Sequence, residues 1–364
     1  MTTHQKKQVA VIGASGYTGG ELFRLLQGHP EISISTVVAS EKSAGQLLST
    51  IFPHLQGVTS VSLDQLDPKR IADQAEIIFL ALPHTQALTP VAEFFERHKL
   101  VIDLSADYRL DNPELYAQWY QVSHPYPSLL QNAVYGLPEL HRLAIQQARL
   151  IAVPGCYPTA AILQLAPLLA HRLIDPSSII IDAKSGISGA GRSPSLAYHF
   201  PEAHESIHAY KIGTHRHTSE IEQELWKISR KSGTSIDDET TTTHAISFTP
   251  HLVPLNRGIL STAYATVNLT GQSRTEWLPL YKDYYKGESF IRIFENPHDV
   301  TPSHVRGSNF CDLSVSYDPR TRRVISVAAI DNLVKGAAGQ AIQSMNIALG
   351  LPEHLGLSHC GLFP

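Results

Sequence analysis

The sequence predicts an α/β protein with a doubly wound parallel sheet in its first half, followed by an α+β domain built on a mixed, largely antiparallel sheet. Three observations predict it. In the first half, short apolar runs alternate with polar or helical stretches, as a parallel sheet with helical crossovers requires. Further on the runs become longer and β-branched, and hairpin-like turns join them. The chain's 364 residues also exceed the size at which one hydrophobic core stops growing, so two domains are expected, with a cleft for chemistry.

Residues 9–12 form an apolar run that stops at Gly13, and residues 21–26 space their apolar side chains helically. That order reads as strand, tight turn and helix. Runs at 34–39, 77–82 and 100–104 continue the alternation. After Val153, Pro154 and Gly155 the character changes: residues 159–171 are helical, 179–181 apolar, and 185–195 rich in glycine and serine. Runs at 245–248, 259–269, 312–317 and 324–330 predict the second sheet, with Asp318-Pro319-Arg320 as a hairpin-like turn. Residues 231–243 are polar and threonine-rich, which predicts a surface loop. Residues 336–349 predict a long helix with small residues at its start, suited to close packing.

The formal net charge is -4, with Lys+Arg 29 against Asp+Glu 33. No global basic field is therefore available to attract nucleic acid or an anionic membrane, and an anionic ligand must be held by local groups. Cys156, Cys311 and Cys360 are too few and too scattered for a disulfide framework. They point to a reducing compartment, the cytoplasm by default, and admit a lone reactive thiol. Residues 1–8 are polar and run straight into an apolar strand, without the succession of a signal peptide. No apolar run is long enough to span a bilayer.

Gly13-Ala14-Ser15-Gly16-Tyr17-Thr18-Gly19 sits where a phosphate cradle must sit in a Rossmann-type domain, after the first strand and opening the first helix. Glycines there let backbone approach a pyrophosphate, and the helix end stabilises its charge. About 20 residues on, Glu41 argues for NAD, whereas Ser40, Lys42 and Ser43 are donors suited to the 2'-phosphate of NADP, which is the expected cofactor.

Cys156 precedes a predicted helix. Amide donors and the dipole at such an end lower a thiol's pKa and can hold an oxyanion, the two things a thioester-forming enzyme needs. A histidine base would assist it. His215 and His217 are the candidates, and Glu220 falls one turn after His217, where it can orient the ring. Between Ser185 and Gly191 the chain is flexible, and Arg192 beside it suits a substrate carboxylate or phosphate. His199, His204, His208, His215 and His217 raise a rival reading, a zinc hydrolase, but their spacing matches no helical ligand pair and leaves the nucleotide fold without a task. A non-catalytic NADP-sensing protein is a third reading, against which Cys156 and His217 together argue.

The set resembles the N-acetyl-gamma-glutamyl-phosphate reductases, a family within the aspartate-semialdehyde dehydrogenase-like group. The matches run nearly end to end. Besides the glycine loop and Pro154-Gly155-Cys156-Tyr157-Pro158-Thr159, they include Leu80 to His84, Asp103 to Leu110, Tyr135 to Glu139, Lys184 to Arg192, Gly213 to Thr218, His251 to Gly258 and Asp331 to Gln340. The resemblance implies Cys156 as nucleophile, His217 as acid/base and the glycine loop as an NADP site. It places Ser40 and Ser43 at the 2'-phosphate, and Pro83, Ser185, Gly186 and Asn332 near the cofactor. It implies an NADP-binding domain of residues 1–155 and 331–364, a catalytic and oligomerisation domain of 156–330, and a homo-oligomer, tetramer or dimer. The implied reaction is NADPH-dependent reduction of an acyl phosphate to a semialdehyde in arginine biosynthesis. A reductase of the one-methylene-longer, carrier-attached homologue in lysine biosynthesis is the alternative, since one methylene is worth only about 1–3 kcal/mol. Residues 231–243 look like an insertion beyond the family pattern.

Overall fold

A computed structural model of the chain describes residues 6–231, 245–268 and 277–363. The chain divides into two compact units, with boundaries at Pro154/Gly155, Gly336/Ala337 and Ser358/His359.

The described residues of the first unit form six strands: β1 (Lys7–Ile12), β2 (Ile32–Val38), β3 (Ile77–Leu80), β4 (Leu100–Asp103), β5 (Ala133–Tyr135) and β6 (Leu150–Ala152). They form one sheet in the order β2-β1-β3-β4-β6-β5, and every pairing is parallel. Helices on its faces explain why the strands read as continuous apolar runs: Val9, Ala10, Val11 and Ile12 are all fully buried. The helix Tyr17–Gln27 follows β1 directly. The helix Gly339–Ala348, far along the chain, packs in this unit against Tyr17–Gln27 and against Pro138–Ile145.

The second unit carries β7 (Ile180–Gly186), β8 (His208–Ala209), β9 (Ser247–Val253), β10 (Ile259–Thr266), β11 (Ile291–Ile293), β12 (Cys311–Asp318) and β13 (Arg323–Ile330). The order is β11-β12-β13-β10-β7-β9-β8, and among the described residues the parallel pairs are β11-β12 and β7-β9. The sheet is therefore mixed and largely antiparallel. Along β10 buried and half-buried residues alternate strictly, the period-2 signature of a sheet with one covered face. The helix Cys156–Ala170 covers it, packed on β10 and β13, and the helix His217–Lys231 packs on that helix in turn. Being enclosed, Cys156–Ala170 is apolar nearly all round, with thirteen residues buried in sequence from Tyr157 to Leu169.

Three differences from the sequence reading have physical causes. Strands β5, β6, β8 and β11 span three residues or fewer, too short to show a period. The helix predicted from residue 159 begins at Cys156, because Pro158 in its first turn, where the missing N–H costs nothing, reads as a break. The boundary placed before residue 331 falls after Gly336: the carboxylate of Asp331 accepts hydrogen bonds from Gly307, Leu333 and Val334, which tie this turn to the second unit. The tail from His359 also joins the second unit, with Leu362 donating to the Arg306 carbonyl. The predicted loop 231–243 lies outside the described residues except Lys231, which ends a helix.

Candidate active site

Two groups of predicted site residues come together, one in each unit. In the first unit, the three glycines of the loop after β1 do separate work. Gly13 has a φ of +83, and a Cβ on it would stand 2.3 Å from the Ala81 carbonyl oxygen, so only glycine makes this turn beside the end of β3. Gly19 packs the helix onto the strand end, since its Cβ would lie 2.3 Å from the Gly13 oxygen. Gly16 caps the helix, and around its missing Cβ the nearest atom is the Gly13 oxygen at 3.6 Å. That is the division of labour a pyrophosphate cradle needs: turn, open approach, close packing. Ser15 and Thr18 are half-buried and Tyr17 is exposed beside Gly16, and Pro83 is exposed two residues beyond Ala81. Gly13 and Ala14 both donate to the Val38 carbonyl, so Ser40 and Ser43 lie in the short turn that leaves the strand next to the loop. Among the described residues the glycine loop and this turn fit a dinucleotide.

The second unit holds the thiol. Cys156 is the first residue of its helix and is partly exposed; Cys311 is buried and Cys360 exposed. Gly155 caps the helix in an extended conformation, and its N–H donates to Glu220 Oε1 at 2.8 Å. Glu220, 1% exposed, thus reaches back from the first turn of its own helix to the residue ahead of the nucleophile, a contact that sequence spacing did not reveal. The His217 ring closes the other side. A Cβ on Gly155 would stand 2.4 Å from His217 Nε2, so the imidazole lies directly on the glycine that precedes the cysteine.

His215 supports this arrangement without titrating near neutrality. Its Nδ1 accepts the His217 N–H at 3.2 Å and its carbonyl accepts the Thr218 N–H, so it caps the helix His217–Lys231. Burial, then the positive charges of Lys211 and Arg216, push its pKa down to about 3. Its ring lies 4.8 Å from that of His217 within an aromatic group of Tyr157, Tyr210 and Phe248. Tyr210 donates to the Tyr157 hydroxyl, which donates to the His251 carbonyl. Burial pushes both phenols above their ordinary range, so both remain protonated donors. Tyr157 adjoins Cys156 in sequence and could have been suspected; Tyr210 gave no local signal.

Ser185 and Asn332 also converge. A Cβ on Gly189 would meet Ser185 Oγ at 3.1 Å and Asn332 Nδ2 at 3.6 Å. Asn332 donates to Ser188 Oγ and accepts from the Gly258 N–H, which fixes its amide. Gly186 has a structural reason to lack a side chain, because a Cβ would lie 2.9 Å from the Arg257 nitrogen and the Leu255 oxygen. Arg192 is exposed on the loop after Gly191. His199 and His204 are exposed as well, and His204 stacks on Phe200. Among the described residues no three metal-ligating side chains gather, and no helix is long and apolar enough to cross a membrane.

Residues 8–148 match the family model "Semialdehyde dehydrogenase, NAD binding domain", and residues 156–332 match "Semialdehyde dehydrogenase, dimerisation domain". An N-acetyl-gamma-glutamyl-phosphate reductase of Geotalea daltonii is 51% identical over 98% of this chain and 99% of its own. One of Acetivibrio thermocellus is 48% identical over the same shares. Among solved structures, aspartate semialdehyde dehydrogenase II from Vibrio cholerae superposes with a TM-score of 0.70 at 16% identity, covering 95% of this chain and 99% of that one, a likeness of fold. Aspartate semialdehyde dehydrogenase with NADP from Candida albicans superposes at 0.65 and 18% identity, over 94% and 98%. The chain belongs to the semialdehyde dehydrogenase family and, within it, to the N-acetyl-gamma-glutamyl-phosphate reductases.

Proposed function

We propose that this chain reduces N-acetyl-gamma-glutamyl phosphate to N-acetylglutamate semialdehyde, releasing phosphate, through a thioester on Cys156. The observation that carries the proposal is the His217 imidazole seated on Gly155, at the start of the helix that begins with Cys156. His217 takes the thiol proton, and the thiolate attacks the acyl carbon. The carbon–oxygen bond to phosphate breaks, and phosphate leaves with the electron pair. The thioester is then reduced to the thiohemiacetal by a hydride, the chemistry that NADPH would supply when bound. The carbon–sulfur bond then breaks, the aldehyde leaves, and His217 returns its proton to the sulfur.

Oxyanion stabilisation falls to the start of the cysteine helix. The Gly155 N–H is committed to Glu220 and Pro158 has none, so the amides of Cys156 and Tyr157 are the first-turn donors the helix end can offer. Glu220 holds Gly155 and thereby the level at which the helix starts. Arg192, on its exposed loop, is assigned to a substrate anion. The glycine loop is assigned to the pyrophosphate of NADPH, Ser40 and Ser43 to its 2'-phosphate, and Pro83, Ser185, Gly186 and Asn332 to the cofactor as well. A homo-oligomer, a tetramer or dimer, accords with the matched dimerisation domain, and the cytoplasm is the compartment that three free thiols suit.

The relatives' names favour the arginine-pathway substrate over the homologue one methylene longer. The reverse reaction tests this. Purified protein with phosphate, NADP and N-acetylglutamate semialdehyde should generate NADPH absorbance, faster than with the longer, carrier-attached semialdehyde; a preference for the latter overturns the substrate.

A further inference from the structure

Asn332 apart, the segment joining β13 to the helix Gly339–Ala348 has no part in the steps above, yet Gly336 within it touches the nucleophile. We infer that Asp331 and Gly336 form a positioning element for Cys156, an inference that rests on Cys156 being the nucleophile.

Gly336 backs the cysteine directly. A Cβ on it would stand 2.8 Å from Cys156 Cβ, 3.2 Å from Cys156 Cα and 3.3 Å from the Asp331 carbonyl oxygen. Its φ lies outside the left-handed range, so close approach and not backbone conformation calls for glycine. The turn that brings it there is a π-helical one, Val334–Ala338, and the Gly336 N–H donates to the Asp331 carbonyl at 2.9 Å, five residues back. Such turns are rare and recur at functional sites.

A buried carboxylate holds this wide turn in shape. Asp331 is fully buried; its Oδ1 accepts from Leu333 at 2.8 Å and Val334 at 3.2 Å, and its Oδ2 accepts from Gly307 at 2.7 Å with Arg257 Nη1 at 3.4 Å. Lys335, also fully buried, places its ammonium 5.9 Å from the Phe290 ring centre and anchors the turn from a second direction. Cys156 is thus backed by Gly336 on a pinned turn, while His217 lies on Gly155 just ahead of it. The thiol-to-imidazole geometry is set from two sides, and the Asp331 carboxylate acts on catalysis only through the backbone it holds.

The test uses full-length chain carrying Cys360→Ser, so that alkylation by iodoacetamide reads Cys156, Cys311 being buried. Gly336→Ala and Asp331→Asn are compared with Gly28→Ala, whose added Cβ meets only the Leu25 oxygen at 3.9 Å. Displacing the thiol from the imidazole moves the pH midpoint of alkylation upward and lowers kcat roughly 10- to 10²-fold, with NADPH binding and the circular dichroism spectrum unchanged. Gly28→Ala keeps the parent's values. Asp331→Asn retains the shape and the acceptor at Oδ1, so it decides the matter should Gly336→Ala fail to fold. Folded variants that keep the parent's alkylation profile and kcat overturn the positioning role. Full turnover by Cys156→Ser would instead overturn the nucleophile on which it rests.

Discussion

The imidazole of His217 occupies the space into which a side chain on Gly155 would grow, with Nε2 only 2.4 Å from where the first carbon would sit. A methyl group at this position therefore displaces the base and not the fold, because alanine tolerates the extended cap conformation of Gly155. Gly155→Ala should lower kcat on the order of 10²-fold and leave NADPH binding intact. Steady-state kinetics together with a fluorescence titration of NADPH check it; a parental kcat contradicts the close packing of imidazole on glycine.

Replacing the base itself separates the two neighbouring histidines. His217→Asn should cost about 10²- to 10⁴-fold in kcat and change the shape of the pH–rate profile. His215, held neutral down to about pH 3, cannot supply a limb of that profile near neutrality. His215→Gln should accordingly lower the rate through loss of the helix cap while leaving the apparent pKa values near neutrality in place. A limb that disappears with His215 would exchange their roles.

Cofactor preference is read at the turn after β2. Ser40→Ala with Ser43→Ala removes two hydroxyls proposed to meet the 2'-phosphate, where hydrogen bonds to a charged group contribute about 1.5–3 kcal/mol each. The KM for NADPH should rise roughly a hundredfold or more, while that for NADH stays close to the parent's. An equal change in both removes the assignment.

Stability should carry a pH signature from Asp103 at the end of β4. Burial, and then the nearby charge of Asp107, raise its pKa from 3.8 to about 7, while Ser105 and Arg109 pull the other way. The folded state binds a proton that the unfolded chain has already released between these values. The contribution is therefore fully present below about pH 4 and is lost as pH rises through 7. Asp103→Asn, whose amide can still bond Ser105, should flatten the fall in Tm between pH 5.5 and 8. An unchanged slope in calorimetric scans would mean that Asp103 is ionised throughout.

What the sequence revealed follows from the range of the interactions. The glycine loop, the cysteine at a helix start and the helix that opens at His217 are local patterns, and each of these elements was legible from its own few residues. Gly336 against Cys156, Glu220 on Gly155 and Tyr210 on Tyr157 join residues between 53 and 180 positions apart, and no periodicity records such pairs. Both sheets were foreseen in kind, parallel and then mixed, because long β-branched runs announce themselves; β8, a strand of two residues, does not.

The central claim is an acyl group on one sulfur, and quenched-flow mass spectrometry of the protein mixed with acyl phosphate in the absence of NADPH tests it most directly. The account predicts a burst of phosphate stoichiometric with protein and an N-acetylglutamyl adduct on the peptide containing Cys156, discharged as aldehyde when NADPH is added. No burst and no adduct, or an adduct on another residue that NADPH reduces equally well, would contradict it.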